Sequence, residues 1–447
     1  MRALTVRAVL FAALGDFFPL YAIYALLFAD HGLNAGQISS LFALWSATAF
    51  LLEVPSGAWA DTVSRRGLLV LSGVLLTTGF TLWTVLPNYL GFAAGFVVWG
   101  VSGALRSGTF EALLYDELSA RGEPSAFPRI LGYTRAATET AVLIAILAAT
   151  PLYLVGGYPL IGWVSVAMAV AHTVVALTLP AAPKSVSAGE VDEAEEAPDE
   201  ATTITAPGSS TSAVTPAGIA SDPPAGPITR YLAMLRSGLA EATRIKSVRN
   251  GVLLGALLYG ITAFDEYFAL VAGEAGVATA VVPVLVGITV VGSLIGSVTA
   301  GRTETMRART MGIAVAVAGV LFVAGAVVVG LAVRWPAAMY ALTGSGFVAL
   351  GISYGIVYNA TVVSAARLQD AIEGPARATV TSVSGLLSEV VSLAAFGFVA
   401  LVTVWLSMSA TVALLGFGVL AIAAVTPAWL PRRRTAASPT GRAPSPR

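Results

Sequence analysis

Along most of the chain, apolar residues do not alternate with polar ones. They run together in stretches about 20 residues long, the length of helix that spans a bilayer core. The stretches fall near 8–29, 37–60, 67–86, 90–118, 127–150 and 157–179, then near 249–273, 277–300, 310–333, 337–362, 377–402 and 405–430. This pattern predicts an all-α integral membrane protein with about twelve transmembrane helices in two six-helix bundles. The halves resemble each other. FVVWGVSGAL (96–105) aligns with FVALGISYGI (347–356), FAALGDFF (11–18) aligns loosely with ITAFDEYF (261–268), and Glu139 falls opposite Glu389.

The segment between the sets, 180–229, has a different texture. It is rich in Pro, Ser, Thr, Ala and acid and has no aromatic residue. Such a stretch cannot bury enough apolar surface to offset chain entropy, so disorder is expected. RYLAMLRSGLAEATRIK (230–246) places Leu232, Leu235, Leu239 and Ala242 at helical spacing among basic residues. It reads either as a helix lying on an anionic membrane surface or as an extension of the next transmembrane helix. The expected organisation is a bundle over 1–179, a linker over 180–229, an interfacial helix over 230–246, a second bundle over 247–430 and a basic tail over 431–447.

Composition supports the membrane reading. Only 11% of residues are charged and 56% are hydrophobic, against about 25% charged in a soluble domain. The absence of cysteine excludes disulfides and thiolate chemistry, and two histidines are too few for a histidine metal cage. The basic start MRALTVRAVLFAALG is interrupted by Asp16 and Pro19 and reads as a retained first helix rather than a signal peptide.

Charge placement predicts orientation. With a cytoplasmic N-terminus, Arg2, Arg7, Arg65, Arg66, Arg121, Arg129, the linker basics, Arg302, Arg307, Arg309, Arg367, Arg377 and Arg432 to Arg434 all lie inside, and only Arg334 lies outside. That is the positive-inside pattern, with both termini and the linker in the cytoplasm.

The stretch EVPSGAWADTVSRRG (53–67) sits in the turn between the second and third apolar runs. Gly57, Asp61, Arg65 and Arg66 resemble the loop motif G-x-x-x-D-R/K-x-G-R-R/K of the major facilitator superfamily, at the position where that family carries it. Thr62 and Ser64 depart from the pattern, and the second copy is degraded to GRTETMRAR (301–309). Parallel six-helix repeats joined by a long cytoplasmic linker belong to the same architecture. The resemblance implies a secondary transporter whose bundles rock around a midplane site. It also implies a cytoplasmic latch: Asp61 near the positive N-terminus of helix eleven, with Arg65 or Arg66 paired to Asp116 at the foot of helix four.

Charged residues inside the spans cost about 2.5–3.5 kcal/mol each at a helix centre, and they usually face the bundle interior and pair. Asp16, Arg106, Arg135, Glu139 and Glu389 lie well inside, with Asp265 and Glu266 in the outer half of helix seven. At 1.5 Å per residue, Arg106 and Glu139 both sit roughly 15–17 Å from the cytoplasmic ends of antiparallel helices four and five. That predicts an Arg106–Glu139 pair, with Arg135 one turn from Glu139. Burial favours a protonated acid and a nearby guanidinium favours an ionised one, so motion that changes the pairing changes proton affinity. Glu139 and then Asp16 are the candidate coupling acids.

The family's cavity lies between helices one, four, seven and ten, which implies Asp16, Tyr21, Arg106, Tyr259, Asp265, Tyr354 and Asn359 as its lining. The aromatic residues Phe17, Phe18, Tyr21, Tyr24, Tyr259, Phe264, Tyr267 and Phe268 suit an amphipathic or aromatic substrate. Gly351-Ile-Ser-Tyr-Gly355 spells a hydrolase elbow, but lies within an apolar run, and it reads instead as a G-x-x-x-G close-packing face. Gly251/Gly255 and Gly292/Gly296 read the same way. No P-loop is present, so transport would draw on a gradient.

These observations predict a bacterial inner-membrane transporter and not an enzyme. Arg106 occupies a helix-four position typical of proton antiporters, although the Gly-Pro motif of exporters is missing from helix five. Proton-coupled efflux of a small amphipathic compound is the expected activity, with proton-linked uptake of a small anion anchored by Arg106 as the alternative. Expected partners are a small molecule, protons and lipid. No nucleic acid, cofactor or metal is expected, and the chain is expected to act as a monomer.

Overall fold

The computed structural model describes residues 1–181, 244–372 and 377–432. The predicted linker, nearly all of the predicted interfacial helix and most of the tail lie outside the described residues. Helices run α1 (Arg2–Leu14), α2 (Tyr24–Asp30), α3 (Ala35–Thr62), α4 (Arg65–Val85), α5 (Tyr89–Arg106), α6 (Thr109–Ala120) and α7 (Phe127–Thr178) in the first half. The second half holds α8 (Lys246–Gly260), α9 (Phe268–Glu274), α10 (Val282–Thr303), α11 (Ala308–Leu331), α12 (Met339–Ala371), α13 (Arg377–Val402) and α14 (Met408–Trp429). Among the described residues there are no strands.

Among the described residues, eleven helical stretches are long and apolar enough to cross a membrane. One of them, 55 residues long from Pro124 to Thr178, leaves helical geometry at Gly156 and Gly157. Gly157 adopts φ +59°, a conformation that glycine reaches without steric cost. The chain folds back there: Thr150 bonds to Ala280, whereas His172 packs on Phe11 at the start of the chain. With this stretch divided in two, the described residues make about twelve crossings. The two sides of the bundle can be named by the chain itself, as a terminal side carrying Met1 and the α3–α4 turn, and a far side carrying the α2–α3 turn.

Local signals fix the helix ends. Asn34 and Gln37 form a reciprocal cap at the start of α3, with bonds of 2.9 and 3.0 Å. Ser64, Asn88 and Ser407 each accept a backbone N–H at the starts of α4, α5 and α14. The Glu274 carboxylate accepts N–H bonds of 2.9 and 2.7 Å from Met408 and Ser409, where the partial positive charge of α14 emerges.

Within the second half, α10 and α12 meet through glycine. A Cβ on Gly292 would fall 2.0 Å from the Gly351 carbonyl oxygen, and one on Gly296 would fall 2.0 Å from that of Gly355. Backbones this close are what small-residue faces permit. Ser353 between them is buried and donates to the Ala318 carbonyl at 2.8 Å, so the elbow-like spelling carries packing.

Three crossings are broken rather than continuous. The first unwinds after Leu14 and resumes through a 3-10 turn at Pro19–Ala22. The fourth breaks at Ser107–Gly108, where Gly108 takes φ +67°. The seventh passes through a 3-10 segment, Ile261–Tyr267. A broken helix inside a membrane is tolerated where it lines a cavity, and all three breaks do so.

Candidate transport site

The break in the first crossing carries Asp16, and the end of α5 carries Arg106. The Arg106 Nη1 donates to Asp16 Oδ2 at 3.1 Å and to the Gly15 carbonyl at 3.2 Å. A Cβ on Gly15 would lie 2.6 Å from that same Nη1 and 3.0 Å from His172 Cε1. Only a residue without a side chain lets the guanidinium settle there. His172 backs the site from α7, fully buried, with Nδ1 2.9 Å from the Phe11 carbonyl oxygen.

The pair stands in the wall of two cavities. One, of about 430 Å³, lies on the terminal side of the pair, between α1, α6 and the first part of α7. It is lined by Asp16, Arg106, Glu111, Arg135, Thr138 and Glu139 among others. The second, of about 410 Å³, lies between the two halves. Asp16, Tyr21, Arg106, Asp265 and Tyr354 line it, together with Trp45, Trp99 and Glu266. The Asp16 and Arg106 side chains are 23% and 35% exposed, so both remain open to water or a ligand.

The predicted Arg106–Glu139 pair does not form. Arg106 pairs with Asp16, and Glu139 stands exposed on the wall of the terminal-side cavity that both share. Equal depth places Arg106 beside Glu139 only if the fourth crossing is continuous, but the chain breaks directly after Arg106, which turns that side chain toward the first crossing instead. Tyr259 and Asn359 do not line the central cavity. Tyr259 is 53% exposed. Asn359 is held between α10 and α12: it accepts from Thr303 at 2.8 Å and donates to the Gly296 carbonyl at 3.0 Å.

Two cavity acids sit beside tyrosines. The Tyr354 hydroxyl donates to Asp265, and the Tyr24 hydroxyl donates to Glu266. The second bond joins the halves. Ser39 with Tyr267, Ser46 with Glu389 at 2.6 Å and Thr150 with the Ala280 carbonyl at 2.8 Å also join them. These four contacts run from the middle of the bundle to the far side. Glu266, Trp45 and Trp99 were not singled out as cavity residues from the sequence. The charge inside the seventh span was the available signal for Glu266; Trp45 and Trp99, within the second and fourth apolar runs, carried none.

On the terminal side, Arg65 reaches Asp116 and also donates to the Ala112 carbonyl at 3.2 Å. Their side chains are only 4% and 2% exposed. Arg66 is exposed and touches the Leu179 carbonyl at 3.5 Å. A Cβ on Gly57 would meet nothing within 4 Å, and the Asp61 side chain lies outside the described residues. Among the described residues no cluster of acids and histidines could hold a metal ion.

A two-bundle helical protein with a polar cavity at the seam of its halves and broken helices around that cavity is a membrane transporter in architecture. The sequence profile of the Major Facilitator Superfamily matches residues 7–395, and the chain belongs to that family. Solved structures of transporters share the fold. The nucleoside transporter NupG superposes with TM-score 0.63 at 12% identity, covering 94% of this chain and 98% of its own. A D-xylose-proton symporter gives 0.59 at 14% identity, covering 96% and 97%. An auto-inhibited peptide transporter of the POT family gives 0.66 at 11% identity, covering 98% of each. No curated protein sequence matches the chain. The chain is thus a multi-pass membrane transporter and not an enzyme.

Proposed function

We propose that this transporter exports a small amphipathic compound in exchange for protons, by alternating access, across the cytoplasmic membrane of a bacterium. The observation that carries the reading is the Asp16–Arg106 pair, which stands in the wall of both cavities at once. A proton that binds Asp16 takes the place of Arg106 and frees the guanidinium to move. Glu139, on the terminal-side cavity, is the second proton carrier and relays between water and the pair. The tyrosine and tryptophan faces of the central cavity supply the amphipathic site. The Arg106 charge is already met by Asp16, which argues against the alternative of anion uptake, since that needs a free guanidinium.

The bundles rock about the seam. The far-side contacts hold one access closed, and the Arg65–Asp116 pair braces the terminal side as part of the latch with Gly57, Asp61 and Arg66. The terminal side is cytoplasmic, because the arginines concentrate there. One chain contains both bundles and works as a monomer.

The test begins with cells that do or do not make the protein, exposed to a chemically mixed panel of toxic compounds. A compound to which the protein confers resistance is then followed in proteoliposomes with an imposed proton gradient. The expected result is flux coupled to proton movement, with gradient-driven accumulation lost in Asp16→Asn. Unchanged coupled flux in both Asp16→Asn and Glu139→Gln would refute the assignment of the proton site.

A further inference from the structure

The central cavity carries an imbalance of charge that the proposed exchange leaves unexplained. Three carboxylates face it, Asp16, Asp265 and Glu266, against one guanidinium, Arg106. That guanidinium is taken by Asp16 at 3.1 Å and by a backbone carbonyl. Among the described residues, neither Asp265 nor Glu266 forms an ion pair with Lys, Arg or His. Each has one tyrosine hydroxyl instead, from Tyr354 and Tyr24. A hydroxyl occupies one acceptor direction of a carboxylate and brings no compensating charge. A carboxylate drawn into a low-dielectric site needs a proton or a cation to stay there.

The walls fit one of those two solutions in particular. Tyr21 stacks on Trp99 with centroids 5.3 Å apart and planes at 17°, and Trp45 stacks on Trp99 at 5.0 Å and 27°. All three rings line the cavity. Electron-rich rings beside half-buried carboxylates favour a cation over a neutral or anionic body of the same size. The rest of the lining includes Val142, Ile146, Val286 and Val290, which accept an apolar frame.

We infer that the central cavity is a binding site for a lipophilic organic cation, held by Asp265 and Glu266 in competition with protons. The inference rests on the reading of this cavity as the transport site and adds the class of substrate. Protonation of both acids removes the charge that holds the cation, so proton entry and cation release are the same event. Glu266 also bonds across the seam to Tyr24, so a ligand there touches the contact that keeps the far side shut.

Equilibrium binding to the full chain in lipid nanodiscs tests this, with empty nanodiscs as the blank. The probes are tetraphenylphosphonium and the smaller, divalent methyl viologen as cations, and tetraphenylborate as an anion of the same shape as the first. The expected result is saturable binding of at least one cation, weaker as pH falls, with no saturable binding of the borate. Binding should fall by about tenfold or more in Asp265→Asn/Glu266→Gln, with a melting temperature and gel-filtration profile like the parent. Borate binding as tight as that of phosphonium overturns the inference without any variant. Cation binding that survives in the folded double variant, or no saturable binding of either cation, also overturns it. No gradient is imposed, so the outcome separates from that of the flux assay. Proton-driven flux without cation binding removes this inference alone, and cation binding without coupled flux removes only the proton exchange.

Discussion

Gly15 is glycine because Arg106 occupies the space where a side chain would stand. A Cβ there would sit 2.6 Å from the guanidinium nitrogen and 3.0 Å from the His172 ring. The backbone is soft at this point, since α1 has just ended, and the guanidinium is the flexible partner that would yield. Gly15→Ala is therefore expected to keep the fold but displace Arg106 from Asp16. A misplacement near 1 Å in a working site costs up to about 100-fold in rate. Proton-coupled flux should drop by an order of magnitude or more with little change in melting temperature, and flux equal to the parent would show that the close approach is unimportant. Asp16 and Arg106 were each visible in the sequence as charges in a greasy run. Their partnership was not, because pairing depends on where the fourth crossing bends, and one glycine among 45 carries no mark of that bend.

Apolar runs mark helices as spans but not as paths. Apolar length fixes a crossing, since the bilayer sets the length, but it does not fix where a crossing bends: Ser107–Gly108 interrupts the fourth within a stretch that reads as one span. Between α4 and α6 the structure pairs Arg65 with Asp116, where the family resemblance left the choice open between Arg65 and Arg66. Arg65 and Asp116 lie at the ends of neighbouring elements, and both are nearly fully buried. Breaking one side of such a pair strands the other charge, at a cost of about 3–5 kcal/mol, whereas replacing both by apolar residues is often neutral. Asp116→Asn should therefore destabilise the protein by about 3 kcal/mol in reversible denaturation. Arg65→Met/Asp116→Leu should recover most of that loss and still impair transport, because the brace is gone. If the single variant is as stable as the parent, Arg65 is satisfied by the Ala112 carbonyl and the pair is not a brace.

The whole molecule is two bundles that touch most visibly from the seam outward. Tyr24 to Glu266 and Thr150 to Ala280 each tie one half to the other. Alternating access requires these ties to open and close in every cycle. The chain has no cysteine, so crosslinks can be placed without background. Thr150→Cys/Ala280→Cys should form a disulfide under mild oxidation, stop transport while oxidised and restore it on reduction. Undiminished transport by the crosslinked protein would show that the far side need not open there.

By itself, the sequence determined the membrane, an all-helical fold of about twelve crossings and the family resemblance. Each follows from hydrophobic length, charge asymmetry or a short motif, and such properties add along the chain without reference to distant residues. The tertiary structure alone decided that Asp16 rather than Glu139 holds Arg106, that Asn359 joins two helices instead of facing the cavity, and that Glu266 and two tryptophans line it. Those outcomes depend on helix rotation and on where a helix breaks. Bundle packing sets both through contacts between residues 56 to 242 positions apart, from Asn359 with Thr303 to Tyr24 with Glu266.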